Sequence, residues 1–127
     1  MAEAKDRTIL VIDDDRDILE AMRIMLETEG FTVVTAIDGQ QGLEKAQKSK
    51  PSLILADMMM ETVDAGAKVA TRIKESGCKA PIILLSSIGD ATSYNLDITA
   101  LGFEGVMQKP VIPSVLMPLI RKKLDLK

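Results

Sequence analysis

Leu53-Ile54-Leu55-Ala56 runs without a polar break straight into Asp57, behind Lys50-Pro51-Ser52 and ahead of Met58-Met59-Met60. A short aliphatic run with no alternation leaves no face for solvent. It therefore reads as a strand covered on both sides, the condition of a parallel sheet. An acid at the end of such a strand lies just outside the carboxyl edge, where open α/β sheets place their ligands. A lone acid there is more often a turn or cap residue. The weight of the reading comes from the other strands, which end in the same way.

Thr8-Ile9-Leu10-Val11-Ile12 is a second such run, closed by Asp13-Asp14-Asp15. The spacing of Ile18, Ala21, Met22, Met25 and Leu26 predicts a helix from about Arg16 to Glu29 with those side chains inward, capped by Asp15 and stopped by Gly30. Phe31 to Ala36 is expected as a strand, and Asp38-Gly39 as the lead into a short helix with Leu43 and Ala46 inward. After Asp57, a helix is expected from about Asp64 to Glu75 on Val69, Ala70 and Ile73. Ala80-Pro81 opens the run Ile82-Ile83-Leu84-Leu85, which ends at Ser86-Ser87. A weak helix should occupy about Ala91 to Leu101, and Gly105-Val106-Met107-Gln108 a short strand ending at Lys109-Pro110. The last helix is expected near Ser114 to Leu124, starting late or kinked at Pro118.

Strands alternating with helices predict an α/β domain: a flavodoxin-like, doubly wound, five-stranded parallel sheet of order 2-1-3-4-5 with five helices. The 127 residues suit one domain, with a core of about 8–124 and a flexible N-terminus at 1–7. A net charge of −3 offers no general attraction to nucleic acid or to an anionic membrane. No apolar run is long enough to span a bilayer. The single cysteine, Cys78, leaves no internal disulfide and suits a reducing, cytoplasmic setting. With no histidine in the chain, Ser-His and Cys-His nucleophile pairs are excluded, as are imidazole zinc sites. Any chemistry must come from carboxylates, hydroxyls, lysine and a hard metal ion.

In the expected order, strands one, three, four and five have neighbouring carboxyl ends, and these carry Asp13 and Asp14, Asp57, Ser86 and Lys109. Carboxylates packed closely repel one another unless a cation joins them, and oxygen ligands suit Mg²⁺. A metal beside Asp57 would let that carboxylate attack a phosphoryl group, by offsetting the charge of the incoming oxygens. Ser86 and Lys109 would supply a donor and a point charge for the remaining phosphoryl oxygens. Each residue alone has a plain alternative as a cap, a strand-end hydroxyl or a solvated charge. Their joint placement is the signal.

This combination resembles the receiver domain of two-component response regulators, of the chemotaxis type that consists of a single receiver. It rests on Asp13-Asp14-Asp15 after the first strand, Asp57 after the third, Ser86-Ser87 and Lys109-Pro110, over about Thr8 to Leu124. The resemblance implies that Asp13, Asp14, Asp57 and the backbone carbonyl of Met59 bind Mg²⁺. It implies that Asp57 accepts a phosphoryl group from a sensor histidine kinase or phosphotransfer protein, with Ser86 and Lys109 contacting the phosphoryl oxygens. A cis peptide between Lys109 and Pro110 is implied as well. The chain would then be a phospho-accepting signalling domain rather than an enzyme with its own substrate. It is expected to switch an interaction with a protein target, with no direct nucleic-acid or membrane partner.

Three departures stand out. Glu61 and Ala65 occupy positions where the family usually has proline and glycine, Val106 stands where it usually has a switching aromatic, and Pro118 interrupts the last helix. Valine has no ring to swing, so an atypical readout is expected. Met59 and Ile88 are expected to flank the phosphoryl group and hinder water, giving a long-lived acyl phosphate. No apolar stripe is left over once the core faces are assigned, which suggests a monomer, with a phosphorylation-dependent dimer as the alternative. Competing readings are a docking module that no longer accepts phosphate and a haloacid-dehalogenase-like phosphatase using Asp13 and Asp15. Asp17 stands where that phosphatase motif wants threonine or valine. A flavodoxin is disfavoured because three acids would repel the cofactor phosphate.

Overall fold

The computed structural model describes residues 7–57, 70–86, 105–108 and 111–124. Strands β1 (Thr8–Ile12), β2 (Thr32–Ala36), β3 (Leu53–Asp57), β4 (Ile82–Ser86) and β5 (Gly105–Gln108) pair in parallel in the order β2-β1-β3-β4-β5. Helices α1 (Arg16–Thr28), α2 (Gly39–Ser49) and α4 (Pro113–Lys123) are described whole. Residues 70–75 form the described part of α3. The described residues therefore hold four helices rather than the five expected. The segment from about Ala91 to Leu101 lies outside them.

The aliphatic runs are buried as a two-faced sheet requires. Alternate residues feed two separate cores. On one face Ile9, Val11, Leu53, Leu55, Ile83 and Leu85 pack with Leu19, Met22 and Leu26 of α1 and Leu116, Met117 and Ile120 of α4. On the other, Leu10, Ile12, Ile54, Ala56, Ile82 and Leu84 pack with Ala46 of α2 and Ala70 and Ile73 of α3. β2 is an edge strand with only Ala36 fully buried, which explains its mix of threonine and valine.

The winding reverses between β1 and β3. From β1 the chain crosses to β2 on one side, and β3 then returns to lie on the other. Carboxyl ends flanking such a reversal border an open crevice. Ile12 pairs with Ala56, so Asp13 and Asp57 follow matched positions on neighbouring strands.

One helix face is corrected, and one of the two alternatives for the last helix is ruled out. The inner face of α1 is Leu19, Met22 and Leu26, whereas Ile18 and Met25 are only half-buried and Ala21 is exposed. Apolar residues surround most of this helix, so periodicity alone leaves its rotation open until it docks on the sheet. The last helix starts at Pro113 and runs through Pro118, with no late start. Pro118 and Ser114, the residue whose carbonyl loses its helical donor to the proline, are both exposed. Ile24, Ile112 and Val115 are large apolar side chains left exposed.

Just past the Glu29 C-cap of α1 stands Gly30, whose φ of 97° is the left-handed conformation open to glycine and whose N–H donates to the Glu27 carbonyl at 3.0 Å. Among the described residues no helix is long and apolar enough to cross a membrane.

Candidate functional site

Asp13, Asp14 and Asp57 come together at the carboxyl edge. Each offers a carboxylate oxygen, and these oxygens lie within 4.8 Å of one another. Asp13 is fully buried, Asp57 nearly so, and Asp14 is exposed. The group is thus rooted in the sheet on one side and open to solvent on the other.

Backbone bonds set this geometry. The Asp13 N–H extends the β1–β2 ladder by donating to the Ala36 carbonyl at 3.0 Å. The Asp15 N–H donates to Oδ1 of Asp13 at 2.9 Å. The Asp15 carboxylate in turn accepts from the N–H groups of Asp17, at 2.9 Å, and Ile18, at 3.4 Å, as the N-cap of α1. Asp14 is held between these two anchored neighbours. The Ala36 contact was not foreseen from sequence, because it depends on the strand pairing and leaves no local signal. The same is true of Gln41, whose Oε1 accepts from the Ile37 N–H at 3.1 Å in the turn after β2.

The other expected site residues are placed less fully. Ser86 is the last residue of β4, one beyond Leu85, which pairs with Asp57. Val106 lies in β5, paired with Leu84. Met59, Ile88, Lys109 and Pro110 lie outside the described residues, as do Glu61 and Ala65, so the Met59 carbonyl, the lysine and the expected cis peptide are not placed. Asp15, the acid of the phosphatase reading, is engaged as a helix cap and does not belong to the converging carboxylates.

The donor set fits a hard divalent cation. Three oxygens from carboxylates, one solvent-facing, match the few protein ligands and retained waters that Mg²⁺ takes.

Comparison with known proteins shows the family and the fold. Residues 9–121 match the family model for the response regulator receiver domain. The chain is 33% identical over 108 residues to the alkaline phosphatase synthesis transcriptional regulatory protein PhoP of Bacillus subtilis, covering 85% of this chain and 44% of that protein. It is 32% identical over 116 residues to the response regulator MprA of Mycobacterium ulcerans, covering 91% of this chain and 49% of that one. The chain thus spans about half the length of the curated relatives it matches. Among solved structures it is similar to a response regulator receiver domain protein from Clostridium thermocellum, with a TM-score of 0.82, 27% identity and 94% of each chain covered. It is also similar to the chemotaxis response regulator CheY4 of Vibrio cholerae, with a TM-score of 0.79, 28% identity and coverage of 93% and 98%.

Proposed function

From the premise that this chain belongs to the response regulator receiver domain family of two-component signalling, we propose that it accepts a phosphoryl group on Asp57 in a Mg²⁺-dependent reaction. The observation that carries the reading is the convergence of the Asp13, Asp14 and Asp57 carboxylates at the reversal of the sheet.

Asp13, Asp14 and Asp57 would hold the cation, with the Met59 backbone carbonyl as a further ligand implied by the family. Bound there, Mg²⁺ offsets negative charge where phosphoryl oxygens approach three carboxylates. The nucleophile in this reading is a carboxylate oxygen of Asp57, and no general base is assigned. One of its oxygens attacks phosphorus, the bond from phosphorus to the donor's leaving group breaks, and an acyl phosphate remains on Asp57. With a kinase or phosphotransfer protein as donor, the leaving group is a histidine imidazole. Ser86 and Lys109 are assigned to the phosphoryl oxygens as donor and counter-charge. Val106 leaves the switch without an aromatic ring, so the output is carried by other side chains.

The domain, residues 1–127, acts as a cytoplasmic switch in a phosphorelay, and its readout is a change in a protein–protein contact. The expectation of no direct nucleic-acid partner is confined to these residues. Relatives named as transcriptional regulatory proteins extend well beyond the part matched here.

Incubation with Mg²⁺ and acetyl phosphate tests the reading chemically. Phosphoryl incorporation that hydroxylamine removes is expected, because an acyl phosphate is cleaved by that nucleophile and a serine phosphate is not. Incorporation that survives hydroxylamine would contradict the assignment to Asp57.

A further inference from the structure

The third acid of the triplet, Asp15, has no place in the ligand set, yet it is bonded into the same turn. Its carboxylate caps α1 by accepting from the Asp17 and Ile18 N–H groups, while its own N–H donates to Oδ1 of Asp13. Asp13 is fixed from the other direction by its N–H bond to Ala36. The turn is thus clamped at both ends, by the sheet on one side and by the first turn of α1 on the other.

We propose that Asp15 is a positioning residue of the metal site. By capping α1 it holds its N–H against Oδ1 of Asp13, and so fixes how the Asp13 and Asp14 oxygens are offered to a divalent cation. This rests on the reading of Asp13, Asp14 and Asp57 as a cation site. An oxygen that accepts an N–H bond has less lone-pair capacity left for a metal, so the bond from Asp15 selects the orientation of the Asp13 carboxylate. An uncapped α1 would let the turn fray and leave the carboxylates less well arranged before the ion arrives. Asp14, exposed and between the two anchors, would lose most by this.

Asparagine and serine cap about as well as aspartate, whereas alanine does not. Capping can therefore be separated from charge. The test is calorimetric titration with Mg²⁺ of the wild type and of D15A, D15N and D15S, together with D38A. Asp38 caps α2 through a 2.8 Å bond from the Gln41 N–H but makes no bond to the acidic turn among those described. D15A should bind Mg²⁺ about fivefold more weakly, the affinity equivalent of the ~1 kcal/mol of one lost cap. D15N and D15S should stay within about twofold of the wild type. D38A should melt at a lower temperature without metal, as D15A does, and yet keep wild-type affinity. Wild-type affinity in D15A would overturn the proposal, as would a loss in D15N as large as that in D15A, which would point to charge. A wild type that binds no Mg²⁺ would overturn the cation reading beneath it, an outcome distinguishable because it appears before any variant is compared.

Discussion

A Cβ placed on Gly42 would lie 2.6 Å from Cδ1 of Ile12, the residue that precedes Asp13. α2 packs so closely on β1 that only a hydrogen fits between them. Ile12 is fully buried and ends the strand that carries the acidic turn, so its displacement would be felt at the site. Gly42→Ala sets a helix-propensity gain of about 1 kcal/mol against an overpacking cost of roughly 1–3 kcal/mol. We expect overpacking to win, with a net loss near 1 kcal/mol in denaturant unfolding. An increase in stability would mean that the Ile12 methyl turns aside without cost.

Pro118 offers the opposite case. It lies in the interior of α4, exposed, where it removes a backbone donor from the helix. Pro118→Ala restores that donor, worth up to about 3 kcal/mol on propensity scales, less roughly 0.4–1 kcal/mol because proline also restricts the unfolded chain. A gain of about 2 kcal/mol in unfolding free energy is expected. No gain would show that the pyrrolidine ring is supported by packing that alanine cannot replace.

Arg23 on α1 bonds both Glu20 and Glu27, one turn away on either side. Its guanidinium is held above its ordinary value, first by the hydrogen bond from Arg23 to Glu20, then by the charges of Glu20 and Glu27. A cation with a raised folded-state value contributes stability that is fully present below its unfolded value and is lost only as the pH climbs past it, here in strong alkali. Arg23→Ala should therefore lower the melting temperature slightly, by an amount constant across neutral pH and shrinking as salt is added. An effect that grew in high salt would mean that the arginine stem, rather than its charge, is what stabilises.

The acidic turn should make stability depend on divalent cations. Ligand binding to the folded state alone adds about 2.7 kcal/mol when free ligand is a hundredfold above its dissociation constant. Mg²⁺ should raise the melting temperature of the wild type in this way. Asp14→Ala, which changes an exposed side chain and so should leave the metal-free protein nearly as stable, should lose most of the rise. An equal Mg²⁺ response in Asp14→Ala would remove that residue from the site.

Much of this was legible in the sequence because the decisive signals are local. Ile9 to Ile12, Leu53 to Ala56 and Ile82 to Leu85 are aliphatic on both faces, which leaves a parallel sheet as the consistent solution. Asp13 and Asp57 stand at the ends of two of these runs, and a short strand order brings them together. What was not legible depends on contacts distant in sequence. The rotation of α1 onto Leu19 rather than Ala21 is decided by docking against β1 and α4, because its apolar residues cover too wide an arc to specify one face. α4 runs through Pro118 with that residue and Ser114 on its exposed side, a placement set by how the helix docks. The anchoring of Asp13 by Ala36 exists only once β1 and β2 are paired.

The measurement that bears most directly on the central claim is the intact mass of the wild type and of Asp57→Ala after incubation with Mg²⁺ and acetyl phosphate. The expected result is a gain of one phosphoryl group by the wild type, abolished by chelating the metal, and none by the variant. A wild type that binds Mg²⁺ but gains no mass, or an Asp57→Ala variant that gains as much as the wild type, would contradict phosphoryl acceptance on Asp57.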